Sequence, residues 1–351
     1  MSVKLKDIAA DAGVSISTVS RAINGDSIKK VKASTQKKIA ASMMRLGYIP
    51  EGNELAFLES QNMTGTPAIP TYNVGIILAS DTKTFADPFF AEMLDVLQEE
   101  LYKNNYIITY IISESSVGKE KLKQIVSTQP VSGSIIMGRL DTDLLYFFRS
   151  TIPHMVYTGV NYLEHDTDEV ICDGFKAVAT LYDHFHKLNY AQIGFIGPVA
   201  TKTEFRNEHH RYTSYINSLE LYHHTLHPEW VQASQDTAEQ GYHAMKQLIA
   251  TGTLPRALIC ASDIIACGVL RATQEHQLRV PEDLAIASID NINMSQFLTP
   301  SLTTIDVSKL ELARLSISML MDKVENRRSK NIRLDIPHEL IIRESCGYKL
   351  I

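Results

Sequence analysis

Over the first fifty residues the apolar positions keep a helical period, and beyond residue 73 they gather into short continuous runs. Leu5, Ile8, Ala9 and Ala12 fall at i, i+3, i+4 and i+7, one apolar stripe of a short helix. Gly13 breaks that helix, and Val14 is apolar enough to pin the following turn into a core. Ser15 is placed to accept orphan N–H groups of a second helix, which buries Val19, Ala22 and Ile23 against the first. Ile16, Ser17, Ser20 and Arg21 are left facing outward, with Thr18 beside them. A third helix is predicted over Thr35–Leu46, burying Ile39, Met43 and Leu46 and stopping at Gly47. Residues 51–60 make one further short helix with Leu55, Phe57 and Leu58 apolar, and Gln61–Tyr72 reads as a linker.

From Val74 onward the pattern is different. Apolar runs at Val74–Leu78, Ile107–Ile112, Ser134–Met137, Met155–Tyr157, Ile193–Ile196, Ala257–Cys260 and Ala285–Ile289 alternate with helical stretches. One such stretch carries Phe90, Met93, Leu94, Leu97 and Leu101 on a single face, and others span Gly174–Leu188 and Asp263–His276. Short apolar strands joined by crossover helices predict parallel sheet buried on both faces. Roughly 280 residues of this pattern exceed the needs of one doubly wound domain, so two lobes are expected. The predicted fold class is an all-α helix-turn-helix headpiece followed by an α/β core of two doubly wound parallel-sheet lobes. The predicted domains are the headpiece (1–50), a hinge helix and linker (51–72) and the core (73–351). Within the core the first lobe is placed at about 73–160 plus 305–325, and the second at about 161–304 plus 326–351.

Charge separates the helix pair from an ordinary αα-hairpin. Residues 1–50 hold nine Lys/Arg against three Asp, net +6, leaving −12 on the remainder of a chain whose formal charge is −6. That polarity places nucleic acid at one end only. A short helix offering small hydroxyls and one Arg suits a major groove, and Lys4, Lys29 and Lys30 suit phosphates. No apolar run approaches a membrane span and no secretory h-region is present, so a cytoplasmic protein without membrane contact is expected. Four scattered cysteines without a CxxC pair are expected as buried, reduced thiols.

The predicted strands end in small and polar residues: Ser80-Asp81, Gly138-Arg139, Thr158-Gly159, Gly197-Pro198, Ser262-Asp263 and Asp290-Asn291. Open parallel sheets bind ligands at those carboxyl ends. No GxGxxG turn or GxxxxGK[ST] loop is present, which disfavours dinucleotides and nucleoside triphosphates. Carboxylates, amides and an Arg beside Phe89 and Phe90 suit a neutral polyol instead.

Over nearly its full length the chain resembles the LacI/GalR family of bacterial transcription regulators. The residues carrying the resemblance are Leu5-Lys6-Asp7-Ile8-Ala9, Gly13-Val14-Ser15, Thr18-Val19-Ser20-Arg21, Asn24, Gly47-Tyr48-Ile49-Pro50, Asp87-Pro88-Phe89-Phe90, Ala261-Ser262-Asp263, Val280-Pro281-Glu282-Asp283-Leu284, Ile289-Asp290 and Pro300–Ile305. Within the family it looks most like repressors of β-galactosidase operons, on the spacing from Asn24 to Val31 and the run Ala261–Ala272. The resemblance implies a core of the periplasmic-binding-protein-like type I. It also implies a homodimeric repressor on a pseudo-palindromic double-stranded operator, controlled by a small sugar bound between the lobes, with no enzymatic activity, cofactor or metal. By position it puts Ser15, Ile16, Ser17, Thr18, Ser20, Arg21, Asn24 and Tyr48 at the DNA, with Phe57 or Leu58 as a minor-groove wedge. It puts Asp87, Phe90, Thr158, Arg211, Ser262, Asp263 and Asp290 at the effector, and the strand-end reading adds Arg139. Three departures stand out. Thr158 replaces the usual Asp, the hinge carries three acids (Glu51, Glu54 and Glu59), and no leucine-heptad tail is expected to build a tetramer.

Other classes make distinct expectations. Asp263 and Asp290 could serve as the acid/base pair of a glycosidase, and the core alone could be a sugar receptor without a DNA role. His223 and His227, at i and i+4, could hold a metal but are expected as surface histidines.

Overall fold

The computed structural model describes residues 4–24, 31–32, 34–35, 38–39, 42–43, 72–79, 87–138, 142–161, 163, 167–199 and 210–348. The chain divides into two compact units, residues 1–71 and 72–351. The predicted hinge, with Phe57 and Leu58, lies outside the described residues.

In the first unit α1 (Leu5–Ala12) and α2 (Ile16–Asn24) form the expected pair. Gly13 ends α1 at φ 65°, a left-handed conformation that costs glycine nothing, and its N–H bonds the Ala9 carbonyl. At the other end the Asp7 carboxylate accepts from the Lys4 N–H at 2.8 Å. Residues 34–35, 38–39 and 42–43 are helical, and Ile39 and Met43 join Ile8, Ala9 and Val19 in one small core. Leu46, the third apolar residue expected there, lies outside the described residues.

The second unit contains two six-stranded sheets. The first lobe orders its strands β11 (Arg333–Asp335), β5 (Asp168–Ile171), β4 (Met155–Gly159), β3 (Gly133–Gly138), β1 (Asn73–Ala79) and β2 (Ile107–Ser113), all parallel. The second runs β12 (Glu339–Ile341), β10 (Thr303–Asp306), β9 (Ala285–Asp290), β8 (Ala257–Cys260), β6 (Ile193–Gly197) and β7 (Val231–Ala233), parallel except for β12. The helices needed below are α3 (Pro88–Lys103), α4 (Gly174–Lys187), α5 (His210–Leu221), α6 (Asp263–Glu275) and α7 (Lys309–Val324). Strands β1, β3, β4, β6, β8 and β9 bury every residue except Asn73, as expected for parallel sheet covered on both faces.

The lobe boundaries differ from those expected. The first lobe continues through β5 to Ile171 and regains residues 333–335 as β11, while Thr303–Asp306 pairs in the second sheet. β5 reads Asp-Glu-Val-Ile, whose polar half is buried by tertiary partners. The Asp168 carboxylate takes the Arg328 guanidinium at 2.6 Å and the Ile332 N–H at 2.8 Å, and Glu169 accepts from the Leu163 N–H at 3.1 Å. Hydropathy along the chain cannot show such pairing. Cys172, Cys260 and Cys346 are buried and Cys267 half-buried, all as free thiols.

Candidate functional site

The headpiece presents its chemistry on α2. Ser15 Oγ accepts from the Thr18 N–H at 3.2 Å and lies 2.7 Å from Thr18 Oγ1 and 2.9 Å from Ser17 Oγ. One hydroxyl therefore caps the helix and orders the two beside it. Val19 is buried, Ile16 is 53% exposed, and Ser17 is exposed. Arg21 Nε donates to the Ser17 carbonyl at 3.0 Å, which lays the guanidinium along the helix surface. An exposed isoleucine flanked by hydroxyls and an Arg has the groups with which proteins read major-groove base edges, where apolar side chains pack on thymine methyls and polar ones donate. Lys4 lies exposed before α1, and Asn24 ends α2. Lys29, Lys30 and Tyr48 lie outside the described residues.

In the core, a cavity of about 150 Å³ opens where the carboxyl ends of both sheets converge. The first lobe supplies Asp87, Phe89, Phe90, Gly138, Tyr157, Gly159, Val160 and Asn161, and the second supplies Arg211, Gln235, Asp236, Ser262 and Asp290. Asp87 caps α3, accepting from the Phe89 N–H at 2.9 Å, with Pro88 pre-set for the first helical position. Phe89 and Phe90 meet edge to face, with centroids 5.3 Å apart. Tyr157 donates to the Gly138 carbonyl at 2.6 Å. Gly138 sits at φ 91°, where a Cβ would stand 2.1 Å from the Ala79 carbonyl oxygen, so no side chain fits.

Electrostatics mark the same place. Burial pushes Asp87 up to about 6; the Phe89 N–H and Arg211 oppose that shift while Asp236 adds to it. Burial also raises Asp290 well above the usual carboxylate range, with Arg211 opposing. Arg211 donates through Nη1 to the Ala261 carbonyl, while its Nε is buried without a hydrogen-bond partner among the described residues. Asp290 itself holds φ 118° and Asn291 φ 43°, positions that cost an L-residue of order 1–3 kcal/mol each. A guanidinium and proton-hungry carboxylates lining one cavity are able to donate and accept hydrogen bonds to a polar ligand.

The sequence-predicted core residues divide cleanly. Asp87, Phe90, Arg211, Ser262 and Asp290 come together on the cavity. Asp263 does not line it. Its carboxylate is consumed by the Ser288 hydroxyl, the Thr304 hydroxyl at 2.6 Å and the Ile292 N–H at 2.9 Å, a tie inside the second lobe. That removes the Asp263–Asp290 pair as a glycosidase dyad. Thr158 is fully buried and also off the cavity; in β4 its neighbours Tyr157 and Gly159 line it, and alternate strand residues face opposite ways. Arg139 lies outside the described residues. Helix α5 ends at Leu221, so His223 and His227 share no helical face, and His227 instead stacks on Trp230 at 3.9 Å. Among the described residues no group of three metal-ligating side chains exists. Tyr157, Asn161, Gln235 and Asp236 were not foreseen. Gln235 and Asp236 follow β7, three residues with no apolar run to announce a strand end. Ser262 donates to Asp236 Oδ1 at 3.3 Å, tying this unforeseen acid to an expected neighbour.

A helix-turn-helix unit followed by a core of two parallel-sheet lobes with a cavity at their carboxyl ends defines a class of DNA-binding regulator. Residues 4–51 match the model of the bacterial regulatory proteins of the lacI family, and residues 182–346 match the periplasmic binding protein-like domain. The HTH-type transcriptional repressor PurR of Pasteurella multocida is 31% identical over 354 residues, 99% of each chain. The repressor MelR of Bacillus subtilis is 28% identical over 98% of each chain. The same fold occurs in the lac repressor dimer bound to operator and the anti-inducer ONPF (TM-score 0.73, 24% identity, 99% of both chains). It also occurs in the CelR–cellobiose complex (TM-score 0.70, 22% identity, 98% and 99%). The chain belongs to the LacI family, and it is a DNA-binding transcriptional repressor rather than an enzyme. The names of these relatives do not single out the β-galactosidase operons expected from the sequence. No helix among the described residues is long and apolar enough to cross a membrane.

Proposed function

We propose that this repressor acts in the cytoplasm as a homodimer on a pseudo-palindromic operator and that a small sugar in the core cavity controls it, a galactoside or related molecule being the first candidate. One observation carries the effector reading: the Arg211 guanidinium and the Asp87, Asp236 and Asp290 carboxylates line one cavity faced by Phe89 and Phe90. Carboxylates accept from neighbouring hydroxyls, the guanidinium donates, and a ring covers the C–H face of a pyranose. A cavity of about 150 Å³ holds a single six-membered ring. Dimerisation is required because one short helix makes too few base contacts for useful discrimination. Ile16, Ser17 and Arg21 read bases, with Lys4, Lys29 and Lys30 on phosphates and Phe57 or Leu58 as the hinge wedge.

The effector reorients the lobes and thereby favours one DNA-binding state. By linkage, operator changes sugar affinity by the same factor, roughly 5–150-fold for a coupling of about 1–3 kcal/mol. Thermal unfolding of the full chain against galactose, lactose, melibiose, cellobiose, ribose and the purine bases tests this, since a ligand of the native state raises Tm. Stabilisation by a sugar, abolished in Arg211→Ala, supports the reading. Stabilisation by a purine base and by no sugar overturns it.

A further inference from the structure

Beside the cavity, two charged side chains that do not line it join the lobes. Glu92, one turn into α3, accepts the Asn293 N–H on Oε1 at 2.9 Å. Lys309, the first residue of α7, lies 3.2 Å from Glu92 Oε2 and donates to the carbonyls of Asp290 at 2.9 Å and Asn291 at 3.2 Å. Its ammonium also stands 5.6 Å from the centre of the Phe89 ring. Two backbone carbonyls thus accept from the ammonium, and the Glu92 carboxylate pairs with its charge.

Helices α3 and α7 pack together in the first lobe, whereas residues 290–293 follow β9 of the second. Glu92 therefore comes from the first lobe and Lys309 from the crossover that leaves β10, while the second lobe offers backbone at the turn that bears Asp290. That turn needs holding. Asp290 at φ 118° and Asn291 at φ 43° occupy conformations that persist only where their surroundings over-determine them. Asn291 is also tied within its own lobe, through Asp306, Thr304 and Arg343. Glu92 reaches it from the first lobe, and Lys309 from the start of the crossover helix. An exposed ion pair contributes little, but the Lys309 side chain is only 12% exposed and both partners make charge-assisted bonds to backbone.

We infer that Glu92 and Lys309 are positioning residues, an inter-lobe clasp that holds the Asp290 turn so that its carboxylate stays on the cavity and the lobe angle is set there. The functional consequence rests on the effector reading, because Asp290 is a cavity carboxylate; the clasp itself is independent of any ligand.

Hydrogen–deuterium exchange of the full chain without additive tests it in the wild type, Glu92→Gln, Glu92→Ala, Lys309→Met, Lys309→Arg and the Glu92→Ala/Lys309→Met double variant. The Asn293 amide should exchange about tenfold faster in Glu92→Ala. Acceleration should stay within residues 87–92 and 289–295. The double variant should exchange no faster than the faster single one, and Lys309→Arg and Glu92→Gln should restore much of the protection. Unchanged exchange at 289–295, or acceleration spread through both lobes in step with a lower Tm, overturns the clasp. Galactose and cellobiose then serve as probes. If either stabilises the wild type, Lys309→Met should bind it about tenfold more weakly, as expected for a lost charge-assisted contact, and equal affinity overturns the positioning role. If neither sugar nor any other in the panel binds the wild type, the sugar reading fails while the exchange data still decide the clasp.

Discussion

The headpiece and the core are built on different scales, and they expose function in different ways. Among the described residues the headpiece buries Ile8, Ala9, Val19, Ile39 and Met43, a core that includes one alanine. The core unit packs two complete apolar sheets between helices. The small unit carries the exposed Ile16 and Ser17, together with Arg21, on one helix, adjoining in sequence. The large one holds a cavity to which residues 87 and 290 both contribute, and it tolerates left-handed aspartate and buried carboxylates there. Strain and buried charge fall where there is enough apolar burial to offset them.

The largest test of this contrast is to separate the units. A chain beginning at Tyr72 should lose all duplex binding in a gel shift, while keeping its thermal transition and any sugar-induced stabilisation. Binding by the full chain should weaken steeply with salt, because its Lys and Arg displace counterions. Retained DNA affinity in the truncated core would make the charge division meaningless.

Next in size, equivalent cavities should have unequal consequences. Ile8→Ala and Ile286→Ala each remove a fully buried side chain at about 2–5 kcal/mol. A headpiece of fifty residues has only about 3–5 kcal/mol to lose, so Ile8→Ala should unfold it and abolish DNA binding. Ile286→Ala, in β9, should lower the core Tm by about 10 °C and leave it folded. Calorimetry with two resolved transitions checks both.

Arg211→Ala sharpens the contrast from the other side. It should remove effector response, with operator affinity unchanged within about twofold, since surface-distant sites are nearly additive. An intact response would take Arg211 out of the site.

The smallest effect is a pH dependence confined to the core. Burial raises Asp87 from 3.8 to about 6, so the folded state holds a proton that the unfolded state has released. Core stability should therefore decline as pH rises from about 4 to about 6 through this residue, and the decline should shrink in Asp87→Asn. Equal Tm differences between pH 4 and pH 7 in both proteins would remove Asp87 as the cause.

Legibility from sequence followed the same division. The turn at Gly13, the cap at Ser15 and the outward Ile16 and Ser17 were readable because helix period and capping are local. The seven long apolar strands were readable for the same reason. β5, β7, β10, β11 and β12 were not, being three or four residues with polar members, and the burial of β5 depends on partners such as Arg328. Asp236 was hidden behind β7, and Asp263 was expected at the cavity it does not line because its donors, Ser288 and Thr304, come from strands far along the chain.

Sequence alone determined that this chain has a basic helical end and an acidic body of parallel sheet, since periodicity and charge are properties of neighbouring residues. Tertiary structure alone decided which carboxylates face the cavity and which are spent inside a lobe. The reason is geometric: β9 carries Asp290 to its carboxyl end, while the first turn of α6 aims Asp263 at Ser288, Ile292 and Thr304. No local pattern records which way an aspartate beside a strand end will turn.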